Sequence, residues 1–280
     1  MEPILLEPAY QNYVWGGHRI PTYFNRSLPD GKYAESWEVS DREEGMSVIG
    51  NGPKKGMRLK DFLQGKKFPL LIKIIDAKEN LSVQIHPDEE AALRLGAEAK
   101  TEMWIALEKS TVYAGLNDGV TENDFLEALK RNSVEQLLRK FVLEKGEAIF
   151  IPAGVVHAIC GDSLLLEVQQ NSNTTYRLYD WGRGRELHLE KGLSCVHWGN
   201  QAPRIIPSAT QNIVANSFFY VERWNGANAL RLAGCAIVFC AQGQADHGDT
   251  SIHAGQTWLI PEASEITLKG DCELIIVRLS

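Results

Sequence analysis

The sequence predicts a mainly β fold, a sandwich or barrel of short strands interrupted by a small helical segment. Three observations carry this. First, apolar residues alternate with period 2: Leu81, Val83 and Ile85 face one way and Ser82, Gln84 and His86 the other, and Met103, Ile105, Leu107 and Leu164, Leu166, Val168 repeat the pattern. Second, the strand-like runs are short and bounded by Gly, Pro, Asn and Asp. Third, segment 146–152 (Gly-Glu-Ala-Ile-Phe-Ile-Pro) is echoed by 255–261 (Gly-Gln-Thr-Trp-Leu-Ile-Pro). The two lie too far apart for a solenoid repeat and suit two related barrels.

The helical segment opens at Pro87-Asp88-Glu89-Glu90, with Asp88 as N-cap, and runs through Leu95 to Gly96. Segments 123–131 and 134–140 also read as short helices, which makes 88–140 a helical insertion. Strand structure resumes near Glu147. The polar stretch 201–211, with Pro203 and Pro207, marks a boundary, dividing 1–205 from a smaller unit at 206–280.

A chain of 280 residues, 44% hydrophobic and 23% charged, can bury one large or two modest cores. Its net charge of −7 argues against nucleic acid or an anionic membrane as the main partner, since such surfaces select for excess Lys and Arg. No apolar run approaches the ~18 residues of a membrane span. Met-Glu-Pro begins no signal peptide. Five cysteines, none in a CxxC pair, fit free thiols in a reducing cytoplasm. Nothing in the sequence fixes an oligomeric state.

Gln84 and His86 share one strand face, about 7 Å apart at ~3.3 Å per residue, so both can reach one ion. His157 follows the Pro152-Ala153-Gly154 turn and Glu102 opens the strand through Leu107. Any one of these residues alone is more often structural than a ligand; the grouping of four is the signal. Two imidazoles, a carboxylate and an amide oxygen suit zinc or another divalent metal. His18, His188, His197, His247 and His253 read as structural or surface residues. In the second copy of the echo, Ile266 stands where His157 does in the first, so the C-terminal unit is expected to hold no metal.

Six stretches, in order over about the first 185 residues, give a specific resemblance. They are 11–17 (Gln-Asn-Tyr-Val-Trp-Gly-Gly), 34–38 (Ala-Glu-Ser-Trp-Glu), 81–88 (Leu-Ser-Val-Gln-Ile-His-Pro-Asp), 100–104 (Lys-Thr-Glu-Met-Trp), 151–157 (Ile-Pro-Ala-Gly-Val-Val-His) and 167–183. The chain resembles the type I phosphomannose isomerase family in its short bacterial form, within the cupin superfamily. From about Glu186 onward it matches only in general character. The resemblance implies a cupin jelly roll carrying the active site, with a second, smaller jelly roll behind it. It also implies one zinc ion bound by Gln84, His86, Glu102 and His157, and catalytic roles for Lys100, Glu167 and Arg177. The expected reaction interconverts mannose 6-phosphate and fructose 6-phosphate through a cis-enediol.

The base stays open among Glu167, Lys100 and a zinc-bound water. Arg183 and Arg185, beside Gly182 and Gly184, are candidates for the phosphate. The chain departs from the family around Gln170-Asn171-Ser172-Asn173 and again after Arg177, which bears on the phosphate contacts. No Gly-x-x-x-x-Gly-Lys-Ser/Thr loop is present, so no nucleotide is implied. Two other readings compete. A non-catalytic sugar-binding cupin would not need Lys100, Glu167 and Arg177 together. A metal-dependent cupin oxygenase would favour two His and one carboxylate, against which Gln84 speaks.

Overall fold

The structure, a computed structural model, describes residues 2–199, 203–226, 229–261 and 264–280. It is mainly β, and all its strand pairings are antiparallel. One sheet has seven strands, in the spatial order Ile205–Ile206, Ala148–Ile151, Glu102–Ala106, Ser163–Gln170, Leu70–Ala77, Glu35–Val39, Ala9–Gln11. A second has five: Leu138–Leu143, Ser110–Leu116, His157–Ile159, Val83–Ile85, Tyr176–Tyr179. A third has eight. Seven run in the order Asn212–Ala215, Phe219–Asn225, Cys272–Leu279, Ala236–His247, Thr257–Ile260, Ile4–Glu7, Val48–Ile49, and Thr250–His253 pairs with Ala236–His247. Leu230–Ala233 and Glu265–Leu268 form a separate pair.

The period-2 pattern explains the layering. Ile72, Ile74, Met103, Ile105, Leu164, Leu166 and Val168 leave one face of the seven-stranded sheet and pack against Val221, Ile237, Phe239, Leu259, Ile275 and Val277 of the eight-stranded sheet. Its other face sends Ile75, Trp104, Ile149 and Leu165 against Val112, Ala114 and Ile159 of the five-stranded sheet. Val83 and Ile85 point away from that interface, into a core with Phe125, Ala128, Val134 and Leu193 of the helical segments. Leu81 does not follow them: it precedes the strand proper and packs on the inner side.

The first of the expected helices is Glu89–Leu95. The Asp88 carboxylate accepts from Ala91 N at 2.8 Å, and Gly96 ends it in the left-handed conformation. The second is Glu122–Lys130, opened by a capping box between Thr121 and Asp124. The expected helix over 134–140 is corrected: a 3-10 turn at Val134–Leu137 gives way to the strand Leu138–Leu143. Nor is 88–140 one helical insertion, because strands Glu102–Ala106 and Ser110–Leu116 run through it. Phe141 and Val142 are strand formers that pair with Val112 and Thr111, and that tertiary pairing overrides a helical reading of Glu135-Gln136-Leu137.

The echo has a structural counterpart. Ala148–Ile151 lies next to Glu102–Ala106, which lies next to Ser163–Gln170 and then Leu70–Ala77. Thr257–Ile260 lies next to Ala236–His247, Cys272–Leu279 and then Phe219–Asn225. The two echoing strands thus hold corresponding positions in their sheets. The expected division at 205/206 is not where the sheets part: Ile206 pairs with Ala148 in the seven-stranded sheet, while Ile4–Glu7 and Val48–Ile49 complete the C-terminal one. Of the expected boundary stretch, residues 201 and 202 lie outside the described residues. Among the described residues, no helix is long and apolar enough to cross a membrane.

Candidate active site

The site lies between the seven- and five-stranded sheets. On the five-stranded sheet, register aligns Arg177, Gln84 and His157 across three neighbouring strands. On the seven-stranded sheet, Trp37, Lys73, Glu167 and Trp104 align across four. Glu102 begins its strand one step along the same face as Trp104.

His86, Glu102 and His157 converge, with ligand atoms all within 4.8 Å of one another and all three side chains buried. His86 Nε2 is 3.5 Å from Glu102 Oε2, and His157 Nε2 is 3.3 Å from Glu102 Oε1. Each imidazole is fixed from behind, since Nδ1 of His86 lies 2.8 Å from Thr174 O and Nδ1 of His157 2.9 Å from Val155 O. With Nδ1–H donating to those carbonyls, both Nε2 lone pairs face Glu102. Burial pushes His86 down to about 3, helped by the Lys100 charge, and lowers His157 as well, so both rings are neutral. Burial alone would raise Glu102, but the Lys100 charge beside it holds it well below the usual carboxylate range. The Gln84 amide reaches His157 Nε2 at 3.3 Å.

A cleft of about 310 Å³ opens beside this cluster. Gln84, Lys100, Glu167, Arg177 and Arg185 line it. Lys100 Nζ is 2.9 Å from Glu102 Oε2. Glu167 accepts a hydrogen bond from Trp104 Nε1 at 3.0 Å and sits 3.5 Å from Lys73 Nζ. Burial raises Glu167 above the usual carboxylate range; Lys100 and Lys73 oppose this, and Glu102 and Glu35 add to it. Arg177 is held by Glu186 O at 2.7 Å, while its buried Nε has no hydrogen-bond partner. Arg185 and Arg183 both bind Asp180, at 2.5 and 2.8 Å. Arg183 also turns toward Glu79, and it does not line the cleft.

Sequence reasoning passed over Lys73 and Glu35. Lys73 Nζ lies 3.3 Å from Glu35 Oε2, which also accepts from Trp37 Nε1 at 2.6 Å. The signal was present: Lys73 interrupts Leu70–Ala77, a strand buried along its whole length, and a lysine there needs a buried partner. Tyr13 and Trp15, stacked with centroids 5.4 Å apart, complete the wall.

Comparison with known proteins adds kinship to this geometry. Residues 4–109 match the family model for phosphomannose isomerase type I, catalytic domain. The chain is 33% identical to a mannose-6-phosphate isomerase of Bacillus subtilis (strain 168), over 80% of this chain and 79% of the relative. It is 30% identical to a probable mannose-6-phosphate isomerase of the same strain, over 98% of each. A crystal structure of a Bacillus subtilis mannose 6-phosphate isomerase superposes with TM-score 0.88 at 28% identity, covering 99% of this chain and 100% of that one. A mannose 6-phosphate isomerase bound with zinc and yttrium shares the fold, with TM-score 0.79 at 16% identity over the whole of both chains. On this kinship, the chain belongs to the type I phosphomannose isomerase family and is an isomerase.

Proposed function

We propose that this protein interconverts mannose 6-phosphate and fructose 6-phosphate through a cis-enediol, with one zinc ion held by Gln84, His86, Glu102 and His157. One observation carries the reading. His86 Nε2 and Glu102 Oε1 are buried without hydrogen-bond partners among the described residues, and with Glu102 Oε2, which faces Lys100 Nζ at 2.9 Å, they converge beside a cleft that holds a buried carboxylate of raised proton affinity. Unpartnered buried donor atoms of that kind are what an N/O metal site requires. A bound zinc supplies Lewis-acid stabilisation of charge on the sugar oxygens. The relative solved with zinc supports the choice of metal.

The chain's own residues divide the remaining work. Glu167 takes the proton from C2 of the aldose and delivers it to C1, while the proton of the C2 hydroxyl passes to the C1 oxygen, so that the aldehyde becomes a hydroxyl as C2 becomes the ketone carbon. Its raised proton affinity favours the first half, the uptake of the C2 proton, over that of an ordinary carboxylate. Trp104 Nε1–H fixes its orientation. Arg177 offers its free Nε–H to negative charge growing on the enediol oxygens. Lys100 holds Glu102 and presents a second cation to the cleft. Arg185, with Arg183 behind it on Asp180, receives the phosphate at the mouth.

We read the five- and seven-stranded sheets as the cupin jelly roll of a catalytic unit, expected as 1–205 and carried here one residue further by the pairing of Ile206. The C-terminal unit, expected as 206–280, is then a second, metal-free roll that borrows Ile4–Glu7 and Val48–Ile49. Register supports this: the pair Gln84–His157 corresponds to Leu232–Ile266, and Glu102 beside Ile151 corresponds to Ala236 beside Ile260. Gln84, His157 and Glu102 thus each have an apolar counterpart there. A cytoplasmic location and a small anionic substrate, rather than nucleic acid or membrane, fit the charge balance.

The test is a coupled assay of fructose 6-phosphate formation from mannose 6-phosphate, on wild type and Glu167→Gln. Turnover is expected in wild type. The variant should keep its zinc and lose ~10²–10⁴-fold in kcat. Sugar binding without turnover in wild type would instead identify a sensor.

A further inference from the structure

Glu35, Lys73 and Glu167 form a buried line across three adjacent strands, Glu35–Val39, Leu70–Ala77 and Ser163–Gln170. Lys73 Nζ lies 3.3 Å from Glu35 and 3.5 Å from Glu167, so one ammonium serves two carboxylates. All three are at most 7% exposed. We propose that Glu35 is a positioning residue, which shares Lys73 with Glu167 and so sets how strongly the base holds a proton. This rests on the reading of Glu167 as the base.

The physical argument concerns charge count. From Leu70–Ala77, Glu167 is faced by Lys73. From Glu35–Val39 it is faced by Glu35. From Glu102–Ala106 and the residues just before it come Glu102, Lys100 and the Trp104 donor. Arg177 and Arg185 line the same cleft. If Lys73 served Glu167 alone, two lysines would act on Glu167 against the single nearby carboxylate of Glu102, and the base would be weak. Glu35 takes up half of Lys73 and restores the balance. It also adds a like charge at most about 7 Å from Glu167, which in a buried setting favours the protonated carboxyl. Trp37 Nε1–H holds Glu35 in this orientation from a position outside the cleft. The direction of the shift at Glu167 agrees, with Glu35 among its causes.

Glu35→Gln tests this, because the amide keeps the shape and can still accept from Trp37. The zinc-loaded full chain would be assayed for kcat and KM across about pH 5–9, with Glu35→Asp and Glu167→Gln alongside. In Glu35→Gln the acidic limb of kcat should move down by about one pH unit, and the plateau should fall about three- to tenfold as the base weakens. KM should stay within about twofold, and Glu35→Asp, which keeps the charge, should restore the limb. The two pH profiles should therefore cross, an outcome that a loss of packing does not produce. An unmoved limb in Glu35→Gln overturns the proposal, as does a raised KM with the limb in place, which would make Glu35 a direct sugar contact. If Glu35→Gln fails to fold, Glu35→Met, an unbranched side chain that also lacks the charge, decides: the limb must again move down, and an unmoved limb overturns the proposal. Failure of the underlying reading looks different: wild type shows no turnover, or Glu167→Gln retains the acidic limb.

Discussion

Substituting Lys100 by Met should make stability depend on metal. Glu102 is fully buried, and Lys100 Nζ stands 2.9 Å from its Oε2. Its other close neighbours are the Nε2 atoms of His86 and His157, and burial keeps both rings neutral. In metal-free protein, Lys100 is therefore the cation that answers the Glu102 charge. Met keeps the length and apolar stem of Lys but leaves that charge alone. Removing one partner of a buried pair costs about 3–5 kcal/mol. At about 2–4 °C per kcal/mol for a domain approaching this size, Tm of the chelator-treated variant should fall by about 6–20 °C. With zinc bound, the ion answers the same charge, and the loss should shrink to about a third of that or less. Circular dichroism melts of wild type and variant, each with chelator and with zinc, supply the four numbers. Equal losses with and without metal, or no loss in either, would refute the reasoning.

Other outcomes follow from the same geometry. His86→Ala should lose bound zinc and turnover together, read by metal analysis of the purified protein and the coupled assay; zinc retained at one per chain would contradict the ligand set. Metal-free protein should lose stability as pH falls below about 6.5: His86 is pushed down to about 3 in the fold, so between those values the unfolded chain binds more protons than the folded one. Denaturant titrations at pH about 7 and about 5 in chelator check the sign. Gly154→Ala should cost roughly 1–3 kcal/mol and weaken zinc binding by about 10–100-fold. Gly154 has φ +80°, a Cβ there would stand 2.5 Å from the His197 ring, and its backbone N donates to His86 O at 3.0 Å. Chelator competition measures that affinity.

The convergence of His86, Glu102 and His157 was legible because these residues sit on or beside strands, where a period of two fixes direction. Gln84 and His86 flank Ile85, so one face had to carry both. The facing of Met103, Ile105 and Leu107 was readable for the same reason, and it puts Glu102 and Trp104 on the opposite face. What the sequence hid lies in pairings between distant strands. Lys73 and Glu35 gain meaning only when Glu35–Val39 and Ser163–Gln170 flank Leu70–Ala77 on either side. The segment after Val134 misled because local propensity favours helix while pairing with Ser110–Leu116 demands strand. Arg183 and Arg185 share a loop, a charge and the Asp180 carboxylate but not a direction, because Arg183 also turns toward Glu79 while Arg185 stays on the cleft.

The strand Ile4–Glu7 has its longest pairing with Thr257–Ile260, through Ile4–Leu259, Leu5–Trp258 and Leu6–Thr257. On the ribosome, at about 5–20 residues per second, roughly 250 residues and on the order of 10–50 s separate the emergence of one partner from that of the other. During that interval Leu6, which ends fully buried, has Ile49 on one side but lacks Thr257 on the other. Contacts so far apart in sequence are slow to close, so docking of this strand is expected to be a late folding event. Until it docks, Thr257–Ile260 presents an open, apolar sheet edge able to pair with another molecule. A protein trimmed of its first several residues should therefore keep its metal site between the other two sheets, yet aggregate during refolding.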